Sequence, residues 1–345
     1  MINIIFLYSE LGPYLMNLFK GITESDQNIK IHVIHWDKQI NTPYVPEIIP
    51  NVFYYKKSFF STKTSLHNFI SKQTPKIIYV SGWMDNWYLY VVYKLKKNTS
   101  VKIIAGIDDL WHGTIKQKVA SFIAPLFFKK FFDYFWVAGL PQYFYARKMG
   151  YNDSQIILHL LTTNSNVDLR INKIKKRFLY VGRYHKNKGL INLLKTYSSL
   201  PVEIKKEWPL ELYGNGPLLN DMKLYENNFI TINGYLSQEL LKQEYFKGGV
   251  FVLPSYFEAW GVVVHEAVSY GLPIILSNKV GSNLDFLINR YNGFIFSNTT
   301  DLYSIFTYVS KLSDVSLNKM ATNSYKLSKR ITTEMSVASF ISKLD

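Results

Sequence analysis

The chain of 345 residues contains no cysteine. That single absence removes disulfides, thiolate metal sites and cysteine nucleophiles together, and makes a cytoplasmic setting the default expectation. No run approaches 18 uninterrupted apolar residues, so no helical membrane span is expected. Met1 leads straight into a strand-like run, with neither a basic leader region nor a small-residue cleavage site, and secretion is not expected. Carboxylates are scarce: 25 Asp and Glu face 40 Lys and Arg, a formal net charge of +15. The excess is spread along the chain, with eighteen basic against ten acidic residues through residue 160 and twenty-two against fifteen after it. A distributed positive charge attracts anions in general. No zinc-finger spacing or basic recognition helix accompanies it, so nucleic acid is not expected, and lipid or nucleotide phosphates are the better partners.

What is present is a globular composition, 48% hydrophobic and 16% aromatic, with strand-like apolar runs alternating with helical patterns almost throughout. That alternation predicts an α/β chain built on parallel sheets. The runs are Ile2 to Leu7, Ile31 to Trp36, Ile77 to Ser81, Val101 to Ile107 and Tyr134 to Val137, then Phe178 to Val181, Leu210 to Tyr213, Ile230 to Ile232, Val250 to Leu253, Pro273 to Leu276 and Phe294 to Phe296. Between the two series lies Asn164 to Arg177, polar and then strongly basic, and a fresh series starting directly after it marks a domain boundary there. The expected division is 1–165, 166–325, and a terminal helix in 326–345 able to pack back on the first domain. From Asp301 onward two helices are expected, the first on Leu302, Phe306, Val309 and Leu312, the last on Val337, Phe340, Ile341 and Leu344.

The most informative segment is Pro254 to Leu276, PSYFEAWGVVVHEAVSYGLPIIL. It follows the strand Val250 to Leu253, places Glu258 in a turn and Glu266 on a helix beginning near Trp260, and stops at Gly271-Leu272-Pro273. A strand, loop and helix in this order present side chains at the carboxyl edge of a sheet, where ligands bind. The carboxylates would touch different parts of one extended ligand; alternatively Glu258 caps the helix and Glu266 is solvated. Earlier, Phe178 to Gly189 reads FLYVGRYHKNKG, with Arg183 and Lys188 directly after a strand, where a planar fork and a point charge suit a diphosphate. Near the start, Gly12 follows the first strand and opens a helix whose N-terminus could face a phosphate. One glycine is neither a dinucleotide fingerprint nor a phosphate loop of the GxxxxGK type, which disfavours nicotinamide and ATP.

These pieces, in the order VGRYHKNKG, LYGNGP, INGYLS, FVLPSYFEAWGVVVHEAVSYGLPII, VGSN and YNGFIF, resemble the retaining glycosyltransferases of family 4. Glu258 and Glu266 fit that family's Glu-x7-Glu motif, and NSNVD at Asn164 to Asp168 is similar to its entry into the second domain. The resemblance implies the GT-B architecture, two Rossmann-like parallel-sheet domains facing across a cleft, with an acceptor-binding first domain and a nucleotide-sugar-binding second. It implies that Arg183 and Lys188 hold the donor diphosphate and that Glu266 takes the ribose hydroxyls. The turns with Gly216 and with Tyr235 and Leu236 sit at two further strand ends, where backbone groups could contact a base or simply form ordinary turns. Glu258, with backbone around Ala259, Trp260 and Gly261, would meet the donor sugar, and Gly12 would close over the phosphates.

The chain departs from the family at Leu11-Gly12, at Ala259 and at Ser282, and reads Ile107-Asp108-Asp109 where many members carry His-Asp. Asp108, Asp109 and His112 are therefore the candidates for the acceptor-facing polar role. There is no DxD motif, so a metal-independent reaction is implied, in which fixed cations stabilise the departing diphosphate. The expected donor is a UDP-sugar and the expected acceptor a glycan or polyprenyl-diphosphate-linked sugar in bacterial surface-glycan synthesis. A sugar-nucleotide epimerase and a non-enzymatic sugar-nucleotide binder are the alternatives. Finally, Lys116 to Trp136 mixes phenylalanines with lysines in a pattern suited to an anionic membrane face, although Pro125 is expected to interrupt the helix.

Overall fold

A computed structural model describes residues 1–37, 45–163, 167 and 174–344. The chain divides into two compact units, Met1–Thr163 with Ile331–Asp345, and Asn164–Arg330. Each is built on a parallel sheet, so the fold is α/β with two Rossmann-like domains.

In the first unit the strands are β1 Ile2–Tyr8, β2 Ile29–His35, β3 Val52–Lys56, β4 Ile77–Val80, β5 Lys102–Ile107, β6 Tyr134–Val137 and β7 Ile156–Ile157. They lie in the order β3-β2-β1-β4-β5-β6-β7. Every neighbouring pair is parallel. Residues 4–8 of β1 and all of β4 are buried, as strands covered by helices on both faces must be. Two strands lie outside the runs expected from sequence. β3, VFYYK, is an edge strand with only Val52 buried, an aromatic run that the sequence reading passed over, and β7 is only two residues long.

The second unit contains β8 Phe178–Val181, β9 Leu210–Tyr213, β10 Ile230–Asn233, β11 Val250–Leu253, β12 Ile274–Ser277 and β13 Gly293–Phe296. Their order is β10-β9-β8-β11-β12-β13. This is the doubly wound arrangement, in which the direction of strand progression reverses between β8 and β11. Phe178 anchors its core against Trp208 and Phe306, at ring-centroid distances of 5.1 and 4.4 Å.

At the amino end of β8, the fully buried Arg177 is ringed by acceptors. Its Nη1 bonds Glu211 and Glu244, the latter at 3.0 Å; Nε donates to Gly248 O at 2.8 Å and Nη2 to Glu244 O at 2.6 Å. The last residue of the basic run is thus a structural pin. Lys175 and Lys176, just before it, pair with Glu211 and Glu207 at 2.7 and 2.5 Å, whereas Lys173 and NSNVD apart from Val167 lie outside the described residues.

Beyond β13 there are three helices rather than the two expected: Thr299–Ser310, Asp314–Ser328 and Thr333–Ile341. The unforeseen middle one packs on the helix Val262–Ser269 and buries Asn323, Ser324 and Ser328 beside Leu317 and Leu327, which breaks the apolar period. The third lies in the first unit against the helix Pro13–Ser25. There Phe340 sits 5.5 Å from Phe6 and 4.9 Å from Trp136, ring to ring.

The segment expected to break at Pro125 forms one helix, Ile115–Phe128. A proline about one turn from the helix end removes one backbone bond, and here its ring packs so closely on Gly150 that a Cβ there would lie 2.5 Å from Pro125 Cγ. Only Ala124 of that helix is buried. Among the described residues, no helix is long and apolar enough to cross a membrane.

Candidate functional site

The reversal point between β8 and β11 is where the structure gathers the cations and carboxylates of the second unit. After β8 the chain forms a 3-10 turn, Lys186–Lys188, whose start is capped by the His185 side chain accepting from Asn187 N. Gly189 follows with φ of 67°, and a Cβ there would lie 2.2 Å from Pro254 O, so only glycine permits the approach of this turn to the loop after β11. Tyr256 N donates to Asn187 O at 2.8 Å across the same seam. The result brings Lys188 and Glu258, seventy residues apart, into an ion pair from Lys188 Nζ to Glu258 Oε2. Ser255 Oγ donates to the same carboxylate oxygen at 3.3 Å.

The Glu258 loop is fixed from its other side as well. Glu258 N donates to Lys279 O at 3.1 Å, Gly281 N to Glu258 O at 2.9 Å, and Ser282 N to Trp260 O at 3.0 Å. A Cβ on Gly281 would fall 2.0 Å from Ala259 O, which explains a glycine at that position. The helix begins at Val262, two residues beyond the expected start, with Gly261 as its N-cap at φ of 91° and no acidic residue in its first turn. Glu266 therefore lies about 6 Å along the axis from the first helical residue. Burial pushes its carboxyl above the ordinary range, opposed by the Tyr245 hydroxyl that donates to it at 3.2 Å.

Flanking loops complete this edge. Tyr184 N donates to Asn215 O at 2.8 Å, and its hydroxyl reaches Asn233 O at 2.6 Å, so one residue after β8 binds the turns after β9 and β10. Gly216 packs under Tyr184 in the first of these turns. Tyr235 stands 60% exposed beyond the second, with Leu236 beside it half-buried. Arg183 is exposed at the head of the β8 loop, its carbonyl accepting from Tyr180 OH at 3.0 Å.

In the first unit, Asp108, Asp109 and His112 follow β5. Asp108 keeps contact with solvent, yet the protein packed round it raises its carboxyl above the usual range, with the Asp109 charge adding to the effect. His112 Nε2 lies 4.0 Å from Asp109 Oδ1, and His112 N donates to Gln117 at 2.7 Å. Gly12 is the extended N-cap of the helix Pro13–Ser25. Sequence reading passed over the tyrosines that share this edge. Tyr8 and Tyr14 hydroxyls lie 3.3 Å apart and Tyr8 stacks on Tyr79, while burial pushes the Tyr14 phenol up to about 12. Their only sequence signal is a polar tip at strand ends in an apolar context.

Residues 162–326 match the family described as glycosyl transferases, group 1. The matched region holds every second-unit residue described above. Over 106 residues the chain is 34% identical to the O-antigen chain mannosyltransferase B of Escherichia coli, covering 29% of this chain and 28% of that protein. Over 122 residues it is 28% identical to the capsular polysaccharide biosynthesis glycosyltransferase CapM of Staphylococcus aureus, covering 34% of this chain and 31% of that one. The chain thus aligns with under a third of the length of these curated relatives.

Among solved structures, sucrose-phosphate synthase of Thermosynechococcus elongatus superposes with a TM-score of 0.75 at 18% identity, over 100% of this chain and 98% of that one. The pneumococcal O-GlcNAc transferase GtfA, in complex with UDP and GlcNAc, gives 0.76 at 12% identity, over 99% and 98%. Anabaena HepE in complex with UDP gives 0.75 at 12% identity, over 99% and 100%. At such identities the likeness establishes the shared two-domain fold.

Ser282 Oγ and Trp260 Nε1 lie buried without a hydrogen-bond partner beside the Glu258 loop. A Cβ on Gly261 would stand 3.6 Å from Ser282 Oγ, so this serine faces the helix start. Among the described residues, no group of three or more His, Asp or Glu is gathered that could hold a metal ion.

Proposed function

We propose that the protein is a retaining glycosyltransferase that moves a sugar from a UDP-sugar to a glycan or polyprenyl-diphosphate-linked acceptor in surface-glycan synthesis. The observation that carries this reading is the Lys188–Glu258 pair at the reversal point of the second sheet, inside the region that matches glycosyl transferases, group 1. Lys188 and Arg183 supply positive charge for the departing diphosphate, a role that needs no metal in this reading. A nucleoside diphosphate brings more negative charge than one carboxylate, so it competes with Glu258 for Lys188. Glu258, once displaced, is placed to accept hydrogen bonds from donor-sugar hydroxyls. Glu266 takes the ribose, and the turns at Gly216 and at Tyr235 and Leu236 flank the base. UDP as the nucleotide is supported by its presence in the HepE and GtfA complexes.

The acceptor side rests on the first unit, with Asp108, Asp109 and His112 as its polar candidates. Association with the inner membrane face is supported by the helix Ile115–Phe128. It exposes Phe122 at 88% and Leu126 at 76%, beside Lys116, Lys118, Lys129 and Lys130, a combination that binds anionic lipid surfaces.

The test is a thermal-shift screen of nucleotide sugars followed by product analysis with and without EDTA. A ligand at 100 times its dissociation constant stabilises by about 2.7 kcal/mol, and UDP-sugars are expected to do so. Transfer to an acceptor with retained anomeric configuration, undiminished by EDTA, is the expected product result. A donor sugar altered in the absence of acceptor would point to an epimerase, and binding without turnover to a sugar-nucleotide binder.

A further inference from the structure

The first unit has its own strand-order reversal, between β1 and β4, and an open cavity of about 440 Å³ lies near it. Trp36 and Asp37, directly after β2, and Lys57, directly after β3, line it together with Met84, between β4 and the helix Asn86–Asn98, and with Asn86 and Trp87, the first two residues of that helix. The size falls within the roughly 300–1,000 Å³ of small-molecule sites, and the carboxyl edge at a reversal point is where doubly wound sheets bind ligands.

The cavity wall is rigid. Asp85, which is buried, accepts from Trp87 N and Tyr88 N at 2.9 and 3.2 Å through one oxygen, and from Trp36 Nε1 at 2.7 Å and Lys57 Nζ at 2.5 Å through the other. Four donors leave this carboxylate little capacity for a ligand; its work is to set the Trp36 indole and the lysine. Lys57 in turn sits 5.0 Å from the centre of the Trp87 ring. Asp37 is held by Ser58, whose hydroxyl donates to one carboxylate oxygen and whose N donates to the other at 3.0 Å; the hydroxyl bond first, and the N bond with it, keep its carboxyl below the ordinary range. Asn86 is exposed, and Met84 is 77% exposed at the rim.

Two indoles, a carboxylate and a carboxamide around one cavity offer apolar ring surface with planar hydrogen-bonding groups at its edge. Two carboxylates against one ammonium disfavour a phosphate or a carboxylate ligand by simple repulsion. The chemistry that matches is a neutral pyranose, whose C–H faces lie on indoles and whose paired hydroxyls meet Asp37 and Asn86. We infer that this cavity is a subsite for an uncharged sugar ring of the acceptor. The inference rests on the transferase reading only for the word acceptor; sugar binding itself stands on the cavity.

Saturation-transfer NMR on the full chain, with UDP at saturating concentration, tests it using neutral methyl glycosides of hexoses, 6-deoxyhexoses and N-acetylhexosamines. At least one glycoside is expected to receive saturation, and Asn86→Ala and Trp87→Ala are each expected to weaken its binding about tenfold. The UDP-induced thermal shift should stay as in the unaltered protein. Should Trp87→Ala fail to fold, Met84→Ala takes its place beside Asn86→Ala. No transfer to any glycoside, or transfer unchanged in both variants, overturns the subsite. A missing UDP shift with glycoside binding intact would instead sink the transferase reading and leave the sugar site standing.

Discussion

Lys188 and Glu258 form an ion pair that joins the two loops flanking the strand-order reversal of the second sheet, with side chains only 10% and 16% exposed. Removing either partner leaves a charge in a confined site, so Lys188→Ala and Glu258→Ala are each expected to lose roughly 1–3 kcal/mol of unfolding free energy. The double variant should lose less than the sum, with a coupling of about 0.5–3 kcal/mol in a denaturation cycle. Strict additivity would mean that the pair contributes nothing. Isothermal titration should show Lys188→Ala binding UDP about ten to one hundred times more weakly, the loss of one charge-assisted contact.

Gly189→Ala should be harmful for two independent reasons, a left-handed φ of 67° and a contact of 2.2 Å with Pro254 O. A loss above about 1 kcal/mol is expected, read as a fall of at least ~2–4 °C in the melting temperature. Gly234→Ala, with nothing within 4 Å of its Cβ and no such φ, is the matched control and should be near neutral. Equal effects from the two would refute the close-approach account.

Glu266 gives a pH signature opposite to that of a salt-bridged carboxylate. Its folded-state pKa is raised above 4.5, chiefly by burial, so between 4.5 and the raised value the folded protein holds more protons than the unfolded chain. Stability contributed by this group is then present at low pH and lost as pH rises through that window. Glu266→Gln should remove this dependence: relative to the unaltered protein, its melting temperature should gain progressively as pH climbs from 4 to 8. A difference independent of pH would contradict the assignment.

Arg177→Met should cost about 3–5 kcal/mol in urea denaturation, because Glu211 and Glu244 lose the buried cation between them. The residue lies at the amino end of β8, at the opposite edge of the sheet from Lys188, so UDP affinity in the folded fraction should be unchanged. A tenfold loss of UDP affinity would show that the two edges are coupled.

The helix Ile115–Phe128 should carry the protein onto vesicles rich in anionic phosphatidylglycerol. Cosedimentation is expected at low salt, weaker at high salt, and abolished by Phe122→Glu combined with Leu126→Glu. Failure of the unaltered chain to sediment even at low salt would remove membrane association from the proposal.

Much of this architecture was legible because a parallel strand buried on both faces is an unbroken apolar word. β6, β8, β9 and β11 have the limits read from sequence. β3 was passed over although Val52 to Tyr55 form a short hydrophobic run; as an edge strand it buries only Val52 and its aromatic rings stay partly in water. The helix Asp314–Ser328 was hidden for the converse reason, as its buried face mixes Leu317 and Leu327 with Asn323, Ser324 and Ser328. At the site, Lys188 and Glu258 were each visible from their local motifs. Their pairing was not, because it depends on a sheet order that brings chain segments seventy residues apart together. The cavity walled by Trp36 and Trp87 was equally silent: its residues follow the ends of three separate strands, none with a recognisable spacing.

The return of the final helix to the first unit means that the chain passes between units twice, near residues 163 and 330. The second unit is therefore an insertion within the first, and the two ends of the first unit's sequence are far apart in the gene though neighbours in space. A nonsense mutation near codon 330 would spare the region that matches glycosyl transferases, yet strip Phe340 from between Phe6 and Trp136. Damage from such a late truncation should surface first as protease sensitivity in the opening third of the protein.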